Sequence, residues 1–258
     1  MATDNVIEVR NLTVDYKSRS GKVCAVDDIS FAVRAGECLG FIGPNGAGKS
    51  SSIKALMGFV YPSGGQVRVF GQPAGVVESK LRIGYLPEVA LYYPFLSGVE
   101  LLKLYGGLHR VPRATLRERI PRLLEVVGLA NDGHRRIQDY SKGMQQRLGI
   151  AQALIAEPEC LIFDELSSGL DPVGRYDLRN VLLDLKERGV TIFFSSHELY
   201  EVEALCDRVV AINNGRILFD RSLEDLLEAS KGQGLEKHFI SLVRQQDEDL
   251  AERRAVSS

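Results

Sequence analysis

Eight consecutive residues combine glycines with a charged and a hydroxyl side chain, and this combination is suited to binding phosphate groups. They fit the pattern G-x-x-x-x-G-K-[ST] at every fixed position, and they are Gly43, Pro44, Asn45, Gly46, Ala47, Gly48, Lys49 and Ser50. Glycine lets backbone N–H groups curl closely around phosphate oxygens, where a Cβ would clash. The Lys49 ammonium suits the outer phosphates, and the Ser50 hydroxyl suits a Mg²⁺ ion. A glycine-rich turn that merely precedes a helix is the alternative interpretation.

Two adjacent carboxylates, Asp164 and Glu165, follow the continuous apolar run Cys160–Phe163. A buried strand places such a pair at its carboxyl end, where ligands gather in open α/β sheets. There Asp164 suits Mg²⁺ through water, and Glu165 suits positioning or deprotonating an attacking water molecule. The alternative is a surface Asp-Glu pair that begins a helix. The residues after Glu165 lead into the segment Ser168-Gly169-Leu170-Asp171 before any helix begins, which argues against that alternative.

The predicted elements around these residues would bring them together. The apolar run Cys38–Ile42 predicts a buried strand before the phosphate-binding residues, and residues 51–57 predict a helix after them. This order aims the loop N–H groups and the helix N-terminus at one anion. Further apolar runs alternate with helical patterns, which predicts an α/β fold with a mostly parallel sheet. Short runs at 7–16, 23–26 and 29–33 predict an N-terminal antiparallel β subdomain.

Residues 94–157 follow a different pattern, because their apolar residues recur at helical spacing. This stretch predicts an all-helical insertion in the α/β core. We expect one domain at 1–225, with the helical subdomain at about 89–158, and a C-terminal helical tail at 226–258.

The overall composition argues against several classes of protein. The chain has 258 residues, 45% hydrophobic and 26% charged, as in ordinary globular proteins. A net charge of -2 argues against a broad nucleic-acid footprint. No run approaches the roughly 18 apolar residues of a membrane span. The four cysteines form no C-x-x-C pair, so we expect thiols in a reducing cytosol rather than disulfides or a zinc site.

Several motifs, taken in order, resemble those of the ATPase subunit of an ATP-binding cassette (ABC) transporter. The resemblance covers about residues 5–225, and the most discriminating motif is the second. The motifs are Gly43-Pro44-Asn45-Gly46-Ala47-Gly48-Lys49-Ser50, Tyr140-Ser141-Lys142-Gly143-Met144-Gln145-Gln146-Arg147, Leu161-Ile162-Phe163-Asp164-Glu165, Ser168-Gly169-Leu170-Asp171 and Ser195-Ser196-His197. The resemblance implies a P-loop NTPase core that binds and hydrolyses ATP with Mg²⁺.

The same resemblance implies a role for each matching residue. Ser141 and Gly143, at a helix N-terminus, would contact the ATP γ-phosphate held by a partner subunit, and Asp171 would cross the dimer interface. His197 would contact the γ-phosphate and steady the water beside Glu165. Tyr16 would stack on adenine. For His197 and Tyr16 the alternatives are a satisfied histidine after a core strand and a half-buried tyrosine at a strand end.

The sequence departs from the common family pattern at several positions. Glu88 stands where a glutamine would sense Mg²⁺ and the γ-phosphate, and we expect its carboxylate to contact the Mg²⁺ shell. Ser51 replaces threonine and keeps a hydroxyl at the ATP site. Leu166 replaces a proline, which predicts a looser turn after Glu165. Lys142 and Met144 resemble the variant found in export-type members.

The resemblance implies partners and a location as well. Two copies of the chain, or one copy and a homologous ATPase subunit, would close head to tail over two ATP molecules and drive a separate integral membrane permease. The chain would then be cytoplasmic and peripheral on the cytoplasmic face of the cell membrane, without a nucleic-acid partner. Two alternatives stay open: a non-transport ABC ATPase that acts as an ATP-switched scaffold, and an ATP-binding regulator without turnover.

Overall fold

The computed structural model of the chain describes residues 5–18, 21–166, 169–230, 232 and 234–256. Ser168, one residue of the predicted motifs, lies outside the described residues. The strands are β1 (Asn5–Ser18), β2 (Gly21–Arg34), β3 (Cys38–Ile42), β4 (Gly64–Val69), β5 (Gln72–Pro73), β6 (Ile83–Leu86), β7 (Cys160–Phe163), β8 (Thr191–Ser196), β9 (Arg208–Asn213) and β10 (Arg216–Ser222). The α-helices are α1 (Lys49–Leu56), α2 (Val77–Lys80), α3 (Gly98–Leu108), α4 (Arg113–Val126), α5 (Lys142–Leu154), α6 (Pro172–Glu187), α7 (Leu199–Leu205), α8 (Leu223–Ala229) and α9 (Leu235–Val256).

A six-stranded sheet carries the residues that could do chemistry. Its strand order is β10-β9-β3-β8-β7-β6, and every neighbouring pair is parallel except β10 with β9. The strands β3, β7 and β8 are adjacent, and all three end at the same edge. The residues that follow them therefore meet at that edge, which is where parallel sheets bind ligands. The predicted α/β fold with a mostly parallel sheet is confirmed.

A four-stranded antiparallel sheet, in the order β2-β1-β4-β5, forms the N-terminal β subdomain. The prediction of two short strands at 23–26 and 29–33 was wrong, because β2 runs unbroken through both. A β-bulge explains the error: Leu12 pairs with Ile29 and Val14 with Val26, so β2 holds one extra residue at this point. Asp28 adopts a left-handed φ of 55° there, and its carboxylate accepts a hydrogen bond from the Asn11 side chain at 2.9 Å.

Buried apolar side chains cover both faces of the six-stranded sheet. Leu39 and Phe41 of β3 join a cluster with the antiparallel sheet, whereas Cys38 and Ile42 join a cluster with the helices. Since neighbouring residues of a strand point to opposite faces, this alternation holds β3 between two cores. The strand that leads to the phosphate-binding residues is therefore fully buried along its length.

The segment between β6 and β7 is helical, as predicted. It contains α3, α4, α5 and a short 3₁₀ helix, Ile137–Asp139, and no strand of the described sheets. Its helices pack on one another through buried leucine and isoleucine side chains, among them Leu101, Ile120 and Leu148. The division of the chain into domains stays a prediction.

The C-terminal part is helical, as predicted, and forms α8 and α9. The boundary predicted at 225/226 falls inside α8, and Leu226 of that helix is buried in the main core. Leu235 at the start of α9 is also buried, and Phe239 and Leu242 pack against the same core. None of the helices in the described ranges combines the length and the hydropathy that crossing a lipid bilayer requires.

Candidate nucleotide-binding site

The phosphate loop, residues 43–50, connects β3 to the start of α1, and its residues 45–50 line a cavity of about 390 Å³. Two of its glycines leave no room for a side chain. A Cβ on Gly43 would lie 2.3 Å from the Ile212 carbonyl oxygen, and a Cβ on Gly48 would lie 2.5 Å from that of Ala25. Gly48 also has a left-handed φ of 110°. Glycine is therefore required here by the surrounding backbone as well as by a phosphate ligand.

The buried side chain of Lys49 stabilises the phosphate loop through hydrogen bonds to the loop backbone. Its side chain is only 5% exposed, and Nζ donates hydrogen bonds to the carbonyl oxygens of Gly43 at 2.7 Å and Pro44 at 3.2 Å. The same Nζ lies 3.6 Å from Oε1 of Glu165. A buried ammonium needs such partners, because an unpaired buried charge costs several kcal/mol. The structure thus brings the predicted phosphate-binding lysine and the predicted catalytic carboxylate together.

Asp164 connects the phosphate loop to β8. Its Oδ1 accepts hydrogen bonds from Ser50 Oγ and from Ser195 Oγ, each at 3.0 Å. Burial raises the pKa of the Asp164 carboxyl, the bonds from Ser195 and Ser50 oppose that rise, and the charges of Glu88 and Glu165 add to it. A buried, hydrogen-bonded carboxylate beside a serine hydroxyl is a suitable oxygen donor set for a small divalent cation.

The donor set fits Mg²⁺ rather than a metal held by the protein alone. Within the described ranges, no group of three or more His, Cys, Asp or Glu side chains could hold a metal ion. Mg²⁺ commonly takes one or two protein ligands and completes its shell with phosphate oxygens and water. Ser50 and Asp164 are the residues that would hold it.

Glu165 and His197 form the second polar contact of the cavity. His197 Nδ1 lies 2.6 Å from Glu165 Oε2, and both residues line the cavity. The Glu165 backbone has a left-handed φ of 63°, and its N–H donates to Ser195 Oγ at 2.9 Å. Non-glycine residues in this conformation are uncommon and cluster at functional sites. The geometry directs the Glu165 carboxylate toward the phosphate loop.

Leu166 stabilises the turn after Glu165 in a way that a proline could not. Its backbone N–H donates to the Ser195 carbonyl oxygen at 3.2 Å, and its side chain is buried. Proline has no N–H to donate. The looser turn expected from the replacement of proline stays a prediction.

Glu88 lines the nucleotide cavity, and Tyr16 bonds a residue that lines it. Glu88 lines the nucleotide cavity and also a smaller one, of about 120 Å³, beside Lys142 and Gln146 of α5. The Tyr16 hydroxyl donates to Ser51 Oγ at 3.3 Å, and Ser51 lines the nucleotide cavity. The predicted contacts of Glu88 with the Mg²⁺ shell and of Tyr16 with adenine stay predictions.

Ser141, Gly143 and Asp171 lie elsewhere on the surface. Ser141 Oγ accepts a hydrogen bond from the Met144 N–H at 3.2 Å and caps α5, and Asp171 Oδ1 accepts one from the Gly174 N–H at 2.7 Å and caps α6. Among the described residues, none of the three lines the nucleotide cavity of its own chain. A contact between them and ATP would need a second chain, as the sequence predicts.

Sequence reasoning missed two contributors to the site. Ser195 bonds both Asp164 and Glu165, although the sequence showed only that it precedes His197. Gly215, in the hairpin turn between β9 and β10, donates its N–H to the carbonyl oxygen of Ala47 at 2.9 Å. An Asn-Gly pair is typical of such turns, but no local pattern showed that this turn touches the phosphate loop.

A glycine-rich loop between a buried strand and a helix, with a lysine facing a carboxylate pair that follows a second strand of the same parallel sheet, defines the class of P-loop NTPases. Comparison with known proteins identifies the family within this class to which the chain belongs. The profile described as ABC transporter matches residues 26–168. An uncharacterized ABC transporter ATP-binding protein of Nostoc sp. is 44% identical over 230 residues, which cover 87% of this chain and 69% of that protein. The chain belongs to the ABC transporter family, as an ATP-binding protein.

One further relative and two solved structures are similar to this chain. A fluoroquinolones export ATP-binding protein of Mycobacterium tuberculosis is 41% identical over 215 residues, with 83% of this chain and 69% of that protein covered. A solved structure described as the ATP binding subunit of an ABC transporter has a TM-score of 0.84 and 30% identity, and the match covers 92% of this chain and 99% of that one. A dimeric ATP-binding cassette bound to ADP and Pi has a TM-score of 0.76 at 20% identity, with 84% and 98% covered, which shows the shared fold.

Proposed function

We propose that this protein hydrolyses ATP to drive transport, with export as the direction, through a separate membrane permease. The observation that carries the proposal is the contact of Glu165 with both His197 and Lys49 at one cavity. A regulator without turnover has no need for a carboxylate held between a histidine and the phosphate-binding lysine. The relatives whose names mention export, of fluoroquinolones and of Nod factor, support the direction.

Each of the predicted site residues has its own role in ATP hydrolysis. Lys49 and the loop N–H groups bind the phosphates, and Tyr16 stacks on the adenine. Ser50 and Asp164 would hold Mg²⁺, which would supply positive charge to the phosphate oxygens. Glu165 orients or deprotonates the attacking water, and His197 keeps the Glu165 carboxylate in position while facing the γ-phosphate.

A second copy, or a homologous subunit, completes each site. Ser141 begins α5, so its hydroxyl and the N–H groups of the first turn present a positive helix end. The Gly143 backbone leaves that end open for an anion. Placed opposite the phosphate loop of a partner, these groups would close over the γ-phosphate, and Asp171 would cross the dimer interface. Closure on ATP and reopening after hydrolysis would then supply the movement that the permease uses.

An exposed apolar loop gives the permease a surface to bind. Residues 88–95 follow β6, and Leu91 in this loop is 90% exposed. Val89, Tyr93 and Phe95 are exposed as well, whereas Tyr92 packs against the helical core. The alternative, that the loop serves only to pack the helical segment on the sheet, explains Tyr92 and leaves the four exposed side chains without a role. The loop also contains Glu88, which would connect the ATP site to the permease.

The decisive experiment cross-links this chain to its candidate permease. The candidate is a protein with about six apolar spans that is encoded by an adjacent reading frame. Cys24, which is exposed, is first changed to serine, and Leu91→Cys is cross-linked to single cysteines in the cytoplasmic loops of the permease. Val173→Cys, equally apolar and exposed on α6, is the matched control. We expect cross-links from Leu91→Cys alone and ATPase stimulation by the permease in detergent.

Three results would contradict the proposal. Cross-links that form equally well from both cysteine variants would remove the docking surface. Recovery of the chain with nucleic acid or ribosomes, without any multi-span protein, would favour the ATP-switched scaffold instead. Phosphate release at the background rate would favour the other alternative, an ATP-binding regulator without turnover.

A further inference from the structure

The C-terminal helix α9 makes a polar contact with the hairpin turn between β9 and β10. Asp247 Oδ1 accepts hydrogen bonds from Asn213 Nδ2 at 2.9 Å and from Asn214 Nδ2 at 2.8 Å. An ionised carboxylate only accepts, so both asparagines turn their NH₂ groups toward it. Bonds to a charged acceptor are stronger than those between neutral groups. One carboxylate of α9 therefore ties down two successive side chains of the turn.

The same turn is bonded to the phosphate loop. Asn214 and Gly215 both have left-handed φ values, 48° and 76°, as a tight hairpin turn requires. The Gly215 N–H donates to the Ala47 carbonyl oxygen at 2.9 Å, and the Gly215 carbonyl oxygen accepts from the Asp27 N–H at 2.8 Å. Residues 213–215 thus lie between α9 on one side and the loop that binds phosphate on the other.

Packing makes this connection stiff. Ile212, which precedes the turn, touches two glycines of the phosphate loop: its carbonyl oxygen leaves no room for a Cβ on Gly43, and its Cδ1 would lie 3.3 Å from a Cβ on Gly48. Close-packed groups transmit a displacement instead of absorbing it. A shift of the turn would therefore move the phosphate loop.

We propose that Asp247 is a positioning residue for ATP binding. By docking α9 against Asn213 and Asn214, it holds the turn, and through Gly215 and Ile212 it holds the phosphate loop in the shape that binds ATP. The coupling is reciprocal, since a ligand that prefers the docked arrangement also stabilises it. ATP would accordingly strengthen the docking of α9 on the body of the protein.

The test is the kinetics of the full-length Asp247→Ala variant with Mg²⁺ and ATP. We expect the KM for ATP to rise about fivefold, with kcat within about twofold of the original. Asp247→Asn keeps the accepting oxygen and loses the charge, so its KM should fall between the two. Glu248→Ala, which removes the exposed neighbouring carboxylate, should behave as the unchanged protein does. A purely structural role for Asp247 would lower the amount of active protein and leave KM alone.

Hydrogen exchange provides an independent measurement. In the unchanged protein, ATP should slow amide exchange in α9 and in residues 213–215, and Asp247→Ala should abolish that slowing. An unchanged KM in Asp247→Ala would overturn the proposal whatever the exchange data show. A KM that rises equally in Glu248→Ala, or a fall in kcat that matches the rise in KM, would overturn it too.

Discussion

Nδ1 of His197 lies 2.6 Å from Oε2 of Glu165, and the other oxygen of that carboxylate lies 3.6 Å from Nζ of Lys49. The Glu165 side chain is therefore held between a residue that follows β8 and a residue that begins α1. Two contacts from different elements leave it little freedom, which matters because a general base acts only within hydrogen-bond reach of its proton.

Replacing Glu165 with glutamine should stop turnover without stopping ATP binding. Glutamine keeps the size of the side chain but cannot accept a proton, so kcat should fall by about 100-fold or more. The variant should accumulate as an ATP-bound dimer in size-exclusion chromatography with light scattering. Glu203→Gln, at an exposed position on α7, is the matched control. Normal phosphate release by Glu165→Gln would show that another group is the base.

His197→Ala should lower kcat and affect the KM for ATP much less. The change removes the 2.6 Å partner of Glu165 Oε2 and lets the carboxylate turn away from the γ-phosphate. We expect a loss of about 10- to 100-fold, which is about 1.4 to 2.7 kcal/mol of barrier. Steady-state phosphate release measures it, and His197→Gln should recover part of the rate by restoring a donor. A kcat equal to that of the unchanged protein would reduce His197 to a packing role.

Asp164→Asn should stabilise the metal-free protein while it weakens Mg²⁺-dependent hydrolysis. Burial raises the pKa of Asp164 in the folded protein, so ionisation favours the unfolded chain, and stability is lost as pH rises through the folded pKa. Asparagine still accepts the bonds from Ser50 and Ser195 without that cost. We expect a Tm higher by about 2 °C at pH 7 in EDTA, and a Tm difference that narrows toward about pH 4.

The same variant should lose activity about tenfold or more, because Mg²⁺ loses its charged partner. Thermal unfolding and a Mg²⁺ titration of ATPase rate measure the two effects. A lower Tm together with unchanged hydrolysis would contradict both.

Ser195→Ala should destabilise the fold and slow the reaction together. The hydroxyl donates to Asp164 and accepts from the Glu165 N–H, so its loss leaves a buried donor without a partner, which costs about 1–3 kcal/mol. Tm should fall by about 2–8 °C, and kcat should drop because Glu165 is no longer fixed. Ser79→Ala removes another buried hydroxyl, one bonded to the Val69 carbonyl oxygen, and should lower Tm alone. Equal kcat in the two variants would refute the special role of Ser195.

Glu88→Ala should raise the Mg²⁺ concentration needed for half-maximal ATPase rate and weaken stimulation by the permease. The carboxylate lines the nucleotide cavity and raises the pKa of Asp164 through its charge, so it lies near enough to attract the cation. Glu88→Gln, which keeps the shape, should retain more of the stimulation than Glu88→Ala. If both the Mg²⁺ dependence and the stimulation survive in Glu88→Ala, the proposed link between ATP and permease fails.

Local patterns predicted the strands of the main sheet well. The bounds of β3 and β7 agree with the apolar runs that predicted them, because each run is short, fully buried and ended by turn-forming or charged residues. The unbroken course of β2 was not predictable from its sequence, since a bulge at Asp28 imitates the turn between two strands. The phosphate loop was predictable because its backbone conformation needs glycine and its chemistry needs lysine and serine at a fixed spacing.

Contacts between distant parts of the chain could not be predicted from the sequence. Nothing local distinguishes Ser195, which bonds two carboxyl-bearing residues, from any other serine in a strand. The contact of Asp247 with Asn213 joins residues that are 34 positions apart and depends on how α9 lies on the body of the protein. Such pairings follow from tertiary packing, which residue types and spacing do not record.

The burial of β3 on both faces also limits how this gene can change in length. One extra codon within Cys38–Ile42 would swap the faces to which Leu39 and Phe41 point, and would deliver Gly43 rotated by half a turn. Residues 109–112, which connect α3 to α4, carry no such constraint from a sheet register. Length variation among descendants of this chain should therefore gather in that connection and spare the five codons that precede Gly43.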